Sequence, residues 1–175
     1  MLIRRERPSD AESIEAIHRD AFLASTPEGH EPVEPGLVAA LRADPAWIPQ
    51  LSLVAEESTG TVIGHVCVTR AQISGAAALA LGPIGVRPDR QGTGAGGALM
   101  HAVLGAADAL GESVVVLLGH LDYYPRFGFV PATDLGITPD VEAWATPHFQ
   151  ARPLSSYDPA TTGTFRYPAP FYELD

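Results

Sequence analysis

The sequence contains no lysine: all eleven of its basic residues are arginine. That absence removes the amine needed for a Schiff-base nucleophile or a pyridoxal anchor, and the lysine of a Walker-type phosphate loop. Cysteine is nearly as scarce. The single Cys67 allows no internal disulfide and no thiolate zinc site. Its setting among alternating apolar residues reads as a buried, inert thiol rather than an acyl-carrying nucleophile. Positive charge is in deficit, with 11 basic against 21 acidic side chains and a net charge of −10. Phosphate-backbone binding needs a basic stripe, so nucleic acid is excluded as the main partner, and a cationic small substrate is favoured. No apolar run reaches the ~18 residues of a membrane span. The start, Met1-Leu2-Ile3-Arg4-Arg5-Glu6, has no apolar core of a signal peptide. The expectation is a cytoplasmic protein with no membrane partner. His18, His30, His101 and His148 show no H-E-x-x-H or related spacing, so no metal site is expected.

What is present reads as one domain over residues 1–175, with a core of 1–130 and a tail of 131–175 packed onto it. Leu2 to Arg5 predicts a short strand. Ser9 and Glu12, three apart, predict a capping box before an amphipathic helix over 9–24 that carries Ile14, Ile17 and Ala21. Val33, Leu37, Val38 and Leu41 predict a second short helix up to about Ala43. Strands follow over 51–57 and 61–70, joined at Ser58-Thr59-Gly60, and a third central strand over 79–86. Gly82-Pro83 interrupts that strand, and because proline has no N–H it predicts a bulge or ladder break there. A helix with Leu99, Val103, Ala106, Ala107 and Leu110 on one face stops at Gly111. Ser113 to Leu118, apolar on both faces, reads as a buried parallel strand, so strand, helix and strand form one βαβ unit. The tail is rich in proline, and Phe149, Phe165, Tyr167, Phe171 and Tyr172 argue that it packs rather than hangs free.

The most informative stretch runs from Leu81 to Leu99. A strand ends near Val86 and a helix begins within Gly92-Thr93-Gly94-Ala95-Gly96-Gly97. Helix N-termini carry unpaired N–H groups and partial positive charge, and glycine lets a bulky anion approach the backbone. A phosphate or pyrophosphate site is predicted. The run matches G-x-G-x-x-G, but Arg87 to Gln91 separates it from the strand and no acidic residue ends the next one. The context is therefore wrong for a dinucleotide fold.

The same stretch, Val86-x-Pro88-x-x-Gln91-x-x-Gly94-x-Gly96, resembles the acyl-CoA motif of the GNAT superfamily of N-acetyltransferases. About 30 residues on, Tyr123-Tyr124-Pro125-Arg126-Phe127-Gly128-Phe129 resembles a second motif of that family. With a late Phe165-Arg166-Tyr167-Pro168, the chain is similar to the bacterial YhbS-like group, in which a segment near Phe149 usually ends a strand. The resemblance implies an α/β (α+β) GNAT-like fold: a mixed, mostly antiparallel twisted sheet with a splayed parallel strand pair and helices on both faces. It implies transfer of an acetyl group from acetyl-CoA to a small-molecule or peptide amine by direct attack in a ternary complex. The alternative is an inactive acyl-CoA-binding sensor of the same fold.

On that resemblance the pyrophosphate lies on the N–H groups of Gln91, Gly92, Thr93, Gly94, Ala95 and Gly96, with Arg87 and Arg90 pairing with CoA phosphates. The pantetheine runs along the strand ending at Ile84, Gly85 and Val86, one of which donates to the thioester oxygen. Tyr124 matches the tyrosine that protonates the leaving thiolate, and Tyr123 is structural. Many family members carry a glutamate base on the central strand, but residues 76–86 contain no acidic side chain. His120, Asp122, His65, Glu56 or a water relay remain. His120 is the first choice because histidine titrates near neutrality and this one ends the strand leading to Tyr124. The first two helices and the tail build the acceptor pocket in this family. Glu28, Glu31 and Glu34 read as a solvated acidic loop. A homodimer is compatible with an edge strand or the aromatic tail.

Overall fold

Alternating residues of the central strands point to opposite faces, and each face is covered by different helices. A computed structural model describes residues 1–174. Its strands are β1 (Leu2–Arg5), β2 (Trp47–Glu56), β3 (Val62–Ile73), β4 (Ala76–Val86), β5 (Val114–Leu118), β6 (Val130–Pro131), β7 (Ile137–Pro139), β8 (Phe149–Pro153) and β9 (Gly163–Arg166). The helices are α1 (Ala11–Phe22), α2 (Glu34–Ala43) and α3 (Ala95–Ala109). Leu79 and Leu81 of β4 and Val115 and Leu117 of β5 pack under Leu99, Val103 and Ala107 of α3. The intervening Ala78, Ala80, Val114 and Val116 face the tail, with Phe149, Phe165 and Tyr167. Ile14, Ile17, Leu37 and Leu41 of α1 and α2 cover Val54 and Cys67 on that second face. Strands apolar on both sides are what a sheet covered on both faces requires.

The sheet order is β1-β2-β3-β4-β5-β8-β6, with β9 joining the far end of β3 and pairing with β7. Most neighbours are antiparallel. β4 and β5 run parallel, as does the short β7–β9 contact. Between β3 and β4 the register steps from Val68↔Leu81 to Val66↔Ile84. Gly82 and Pro83 together thus face Cys67 alone, the bulge that the proline predicted. The Cys67 thiol donates to the Gly82 carbonyl at 3.2 Å, and burial pushes its pKa up, so it stays a protonated packing group.

Several sequence expectations need correction. Neither Ser9 nor Glu12 caps α1, which begins at Ala11. The Arg7 N–H donates instead to the Asp10 carboxylate at 2.6 Å. Asp10 is drawn inward because Arg4 bridges it at 2.7 Å and reaches Glu56 as well. Val33 lies before α2 and is exposed. β2 starts at Trp47, ahead of the apolar run. Leu110 is the C-cap of α3 and 48% exposed, while Met100 and Leu104 are buried. The covered face is therefore wider and turned from the one predicted. Gly111 does end the helix in the left-handed region, at φ +76°, and its N–H donates to the Asp108 carbonyl. Phe149 opens β8 rather than closing a strand. Among the described residues no helix is long and apolar enough to cross a membrane, and no three His, Cys, Asp or Glu side chains converge as a metal cluster.

Candidate functional site

β4 and β5 pair at only two positions, Leu79↔Val115 and Ala80↔Val116. The bulge at Gly82-Pro83 follows at once, and the two strands part. The Arg87 N–H donates to Ile63 on β3 at 2.9 Å. Antiparallel strands alternate the direction of their N–H groups, so the Ile84 and Val86 amides point the other way, into the gap. A sheet interior normally pairs such groups, and here they face a cleft of about 750 Å³.

The glycine stretch closes the same cleft. Gly92 (φ +74°) and Gly94 (φ +93°) take left-handed conformations that side chains resist, and Gly94 is the N-cap of α3. Side chains of this loop brace it. Gln91 Nε2 donates to the Val86 carbonyl at 3.1 Å, and the Thr93 hydroxyl to the Arg90 carbonyl at 2.6 Å. The first-turn N–H groups of α3 are left without intrahelical partners, as at any helix start. Gly92, Gly94, Gly96 and Gly97 line the cleft, whereas the side chains of Thr93 and Ala95 do not. A Cβ on Gly96 would stand 2.8 Å from the Tyr123 hydroxyl, which fits Tyr123 as packing for this loop.

Cations at the cleft are partly committed. Arg90 lines it while pairing with Glu57 at 2.7 Å and Asp89 at 2.8 Å. Arg87 is tied to Asp89 and does not line it, so the symmetric role expected for the two arginines is not what the geometry gives. Arg126, which the sequence reading did not single out, lines the cleft with its guanidinium 4.8 Å above the Tyr123 ring.

Tyr124 stands where this cleft meets a second one of about 380 Å³. Phe22, Ile84, His120 and Tyr124 line both. The Tyr124 ring lies against Gly119, where a Cβ would collide with its Cδ2–Cε2 edge. It also packs edge-on to Tyr123 and Phe129. Burial pushes its pKa up, with Tyr123 adding to the effect, so the phenol keeps its proton at neutral pH. His120 is exposed at the junction. The other candidate bases are elsewhere. Glu56 is paired with Arg4, and Asp122 is exposed and lines neither cleft.

His65 is wholly buried in a chain of hydrogen bonds. Ser52 donates its one hydroxyl proton to Glu6 at 2.6 Å. His65 Nε2 therefore donates to Ser52 Oγ at 2.9 Å, and its Nδ1 accepts from His18 Nε2 at 2.8 Å. His18 Nδ1 is left without a partner, 2.9 Å from the place a Cβ on Gly85 would occupy. Burial lowers the pKa of His18 to about 2 and that of His65 as well. Burial alone would raise Glu6, but the His65 Nε2–H edge 3.3 Å away and the hydrogen bonds from Arg42 and Ser52 bring it down to about 2. The pair is thus a neutral strut beneath β4.

The second cleft is walled by Phe22, Trp144, Tyr167 and Phe171, with Glu34 as its carboxylate. Glu34 is half-buried at the start of α2 and is not the solvated loop residue that the sequence suggested.

Residues 49–131 match the family profile described as an acetyltransferase (GNAT) domain. The chain is 37% identical to the uncharacterised N-acetyltransferase YjhQ of Escherichia coli over 127 residues, 70% of this chain and 66% of that relative. Among solved structures, that of the YhbS N-acetyltransferase of Escherichia coli in complex with CoA aligns with a TM-score of 0.85 and 30% identity, covering 98% of this chain and 91% of the other. A GNAT family acetyltransferase of Brucella melitensis in complex with acetyl-CoA aligns at 0.77 with 37% identity, covering 97% of each chain. The parted strands, the glycine-started helix and these likenesses extend over the same elements, and the chain belongs to the GNAT family of acetyltransferases.

Proposed function

We propose that the chain, acting as one domain, transfers the acetyl group of acetyl-CoA to a primary amine by direct attack in a ternary complex. The observation that carries the reading is the gap between β4 and β5. It leaves the Ile84 and Val86 amides unpaired beside the start of α3, in a family with members crystallised with CoA and acetyl-CoA. Acetyl-CoA supplies the activated acyl group. Backbone N–H groups from Gln91 through Gly96 hold its pyrophosphate, with Arg90 and Arg126 at the rim. The Ile84 to Val86 edge pairs with the pantetheine as an added strand would. One of its amides faces the thioester oxygen, where a fixed donor gains strength as negative charge develops.

His120 takes the proton the amine must lose. As the new C–N bond forms and the C–S bond breaks, Tyr124 donates its phenolic proton to the departing sulfur. Both side chains border both clefts, which suits residues that must meet the acceptor and the thioester together. The test is a thermal-shift titration with acetyl-CoA against NADH at matched concentration, followed by thiol release with a panel of amines. A ligand at about 100 times its Kd stabilises by roughly 2.7 kcal/mol. A saturable shift with acetyl-CoA alone, and thiol release that requires an amine, are the expected results. A shift with NADH alone would sink the reading.

A further inference from the structure

The second cleft has a chemistry of its own. Phe22, Trp144, Tyr167 and Phe171 give it an aromatic wall, and among the described residues Glu34 is the one carboxylate that lines it. No arginine lines it, and the chain has no lysine to offer. The wall is fixed before anything binds. Trp144 meets Tyr167 edge-on at 5.3 Å, and Phe171 tilts onto Tyr167 at 4.6 Å. Tyr172 accepts the Tyr167 N–H at 3.0 Å and donates to Asp140 at 2.9 Å, which pins the tail in place. The Glu34 carboxylate forms no ion pair with any described residue.

We infer that this cleft takes a monoamine carried on an apolar, aromatic-compatible body and bearing no carboxylate or phosphate, with Glu34 receiving the ammonium. The inference rests on the acetyltransferase reading and narrows its acceptor. Aromatic faces attract a cation and accept an apolar body, and an unpaired carboxylate in a half-buried wall is satisfied by a cation that enters beside it. An acid-bearing acceptor would bring a second anion next to Glu34 with no cation to meet it, which is a repulsive element built into the site. The tail that builds the wall meets the thioester side through Tyr124 and His120, so an amine lodged there is beside the groups that would handle its proton.

The experiment compares 2-phenylethylamine with phenylalanine, which differs by one carboxylate, and with ethanolamine, which keeps the ammonium but loses the apolar body. Binding to the full chain is measured by calorimetry without acetyl-CoA, and turnover by thiol release with it. The expected kcat/KM for 2-phenylethylamine exceeds that of either comparison by about tenfold or more, the scale on which a pocket separates such analogues. Glu34→Gln weakens 2-phenylethylamine binding and turnover by about tenfold and leaves stabilisation by acetyl-CoA unchanged. Trp144→Leu does the same without removing charge. Equal or better use of phenylalanine, or amine binding indifferent to Glu34→Gln, overturns the inference. If acetyl-CoA neither binds nor turns over with any amine, the acetyltransferase reading fails. The calorimetry still decides for or against the cleft's chemistry.

Discussion

On the α3 side of Tyr124 the wall exposes main chain, in its glycines, the amides of Ile84 and Val86 and the first turn of a helix, beside side chains such as Arg90, Tyr123 and Arg126. On the tail side it is largely side chain, with aromatic rings and one carboxylate. On the proposed reading the first surface holds acetyl-CoA through main-chain N–H groups, which cannot be substituted away. The second is built of groups that single substitutions replace. One strand, β4, serves both because its bulge turns it from a sheet neighbour into a shared rim. The two surfaces meet at two polar side chains, His120 and Tyr124.

Substitutions at and on either side of that meeting point should separate the two surfaces. The largest effect is expected from Tyr124→Phe, which removes the proton donor and keeps the ring against Gly119. It should lower kcat by about a hundredfold, the lower end for general acid catalysis, while stabilisation by acetyl-CoA persists. A matching loss of acetyl-CoA binding would show that the phenol belongs to only one surface.

Acid should strike both surfaces together, through the His18–His65 strut beneath Gly85. Unfolded histidines titrate near 6.5, whereas burial holds His18 neutral down to about 2 and lowers His65 in the same direction. Above pH 6.5 both states are neutral and the pair adds no pH dependence. Below it the unfolded chain binds protons that the native chain refuses, so stability falls as the pH drops. The slope is about 1.4 kcal/mol per pH unit for each such histidine. Thermal melts between pH 7.5 and 5 should record it, and His18→Leu should reduce the slope by roughly half, leaving the His65 share.

Gly96→Val acts on one side alone. It places a side chain on the Tyr123 hydroxyl and over the helix start, and should weaken acetyl-CoA by about tenfold, or 1.4 kcal/mol. Calorimetric amine binding should hold. The smallest effect is expected at Arg90→Gln. Its guanidinium is already shared between Glu57 and Asp89, and exposed ion pairs contribute little, so acetyl-CoA affinity should fall only about twofold and less at high salt.

The backbone surface was legible in the sequence and the side-chain surface was not, for a physical reason. The left-handed turns before α3 favour glycine at fixed spacing next to a helix, so Gly92 and Gly94 carry the signal locally. Pro83 announced the strand break because a missing N–H cannot sit in a regular ladder. The aromatic wall draws Phe22, Glu34, Trp144, Tyr167 and Phe171 from the two ends of the chain. No short-range period links them, and each taken singly looks like packing or a solvated charge. The His18–His65 contact, 47 residues apart in sequence, was hidden in the same way. The α1 start misled because Ser9 and Glu12 satisfy the local rule, while Arg4, brought in by β1, decides in favour of Asp10.

The gap between β4 and β5 has a mechanical meaning as well. Two ladder positions join the β1–β4 half of the sheet to the β5–β8–β6 half, with α3 packed across one face and the tail across the other, so the sheet is a zipper with its teeth parted in the middle. The Ile84 and Val86 amides should exchange with deuterium as quickly as those of an edge strand although they lie mid-sheet. A ligand that spans the gap would slow that exchange and stiffen one half against the other, so occupancy of the cleft would register as rigidity across the whole sheet.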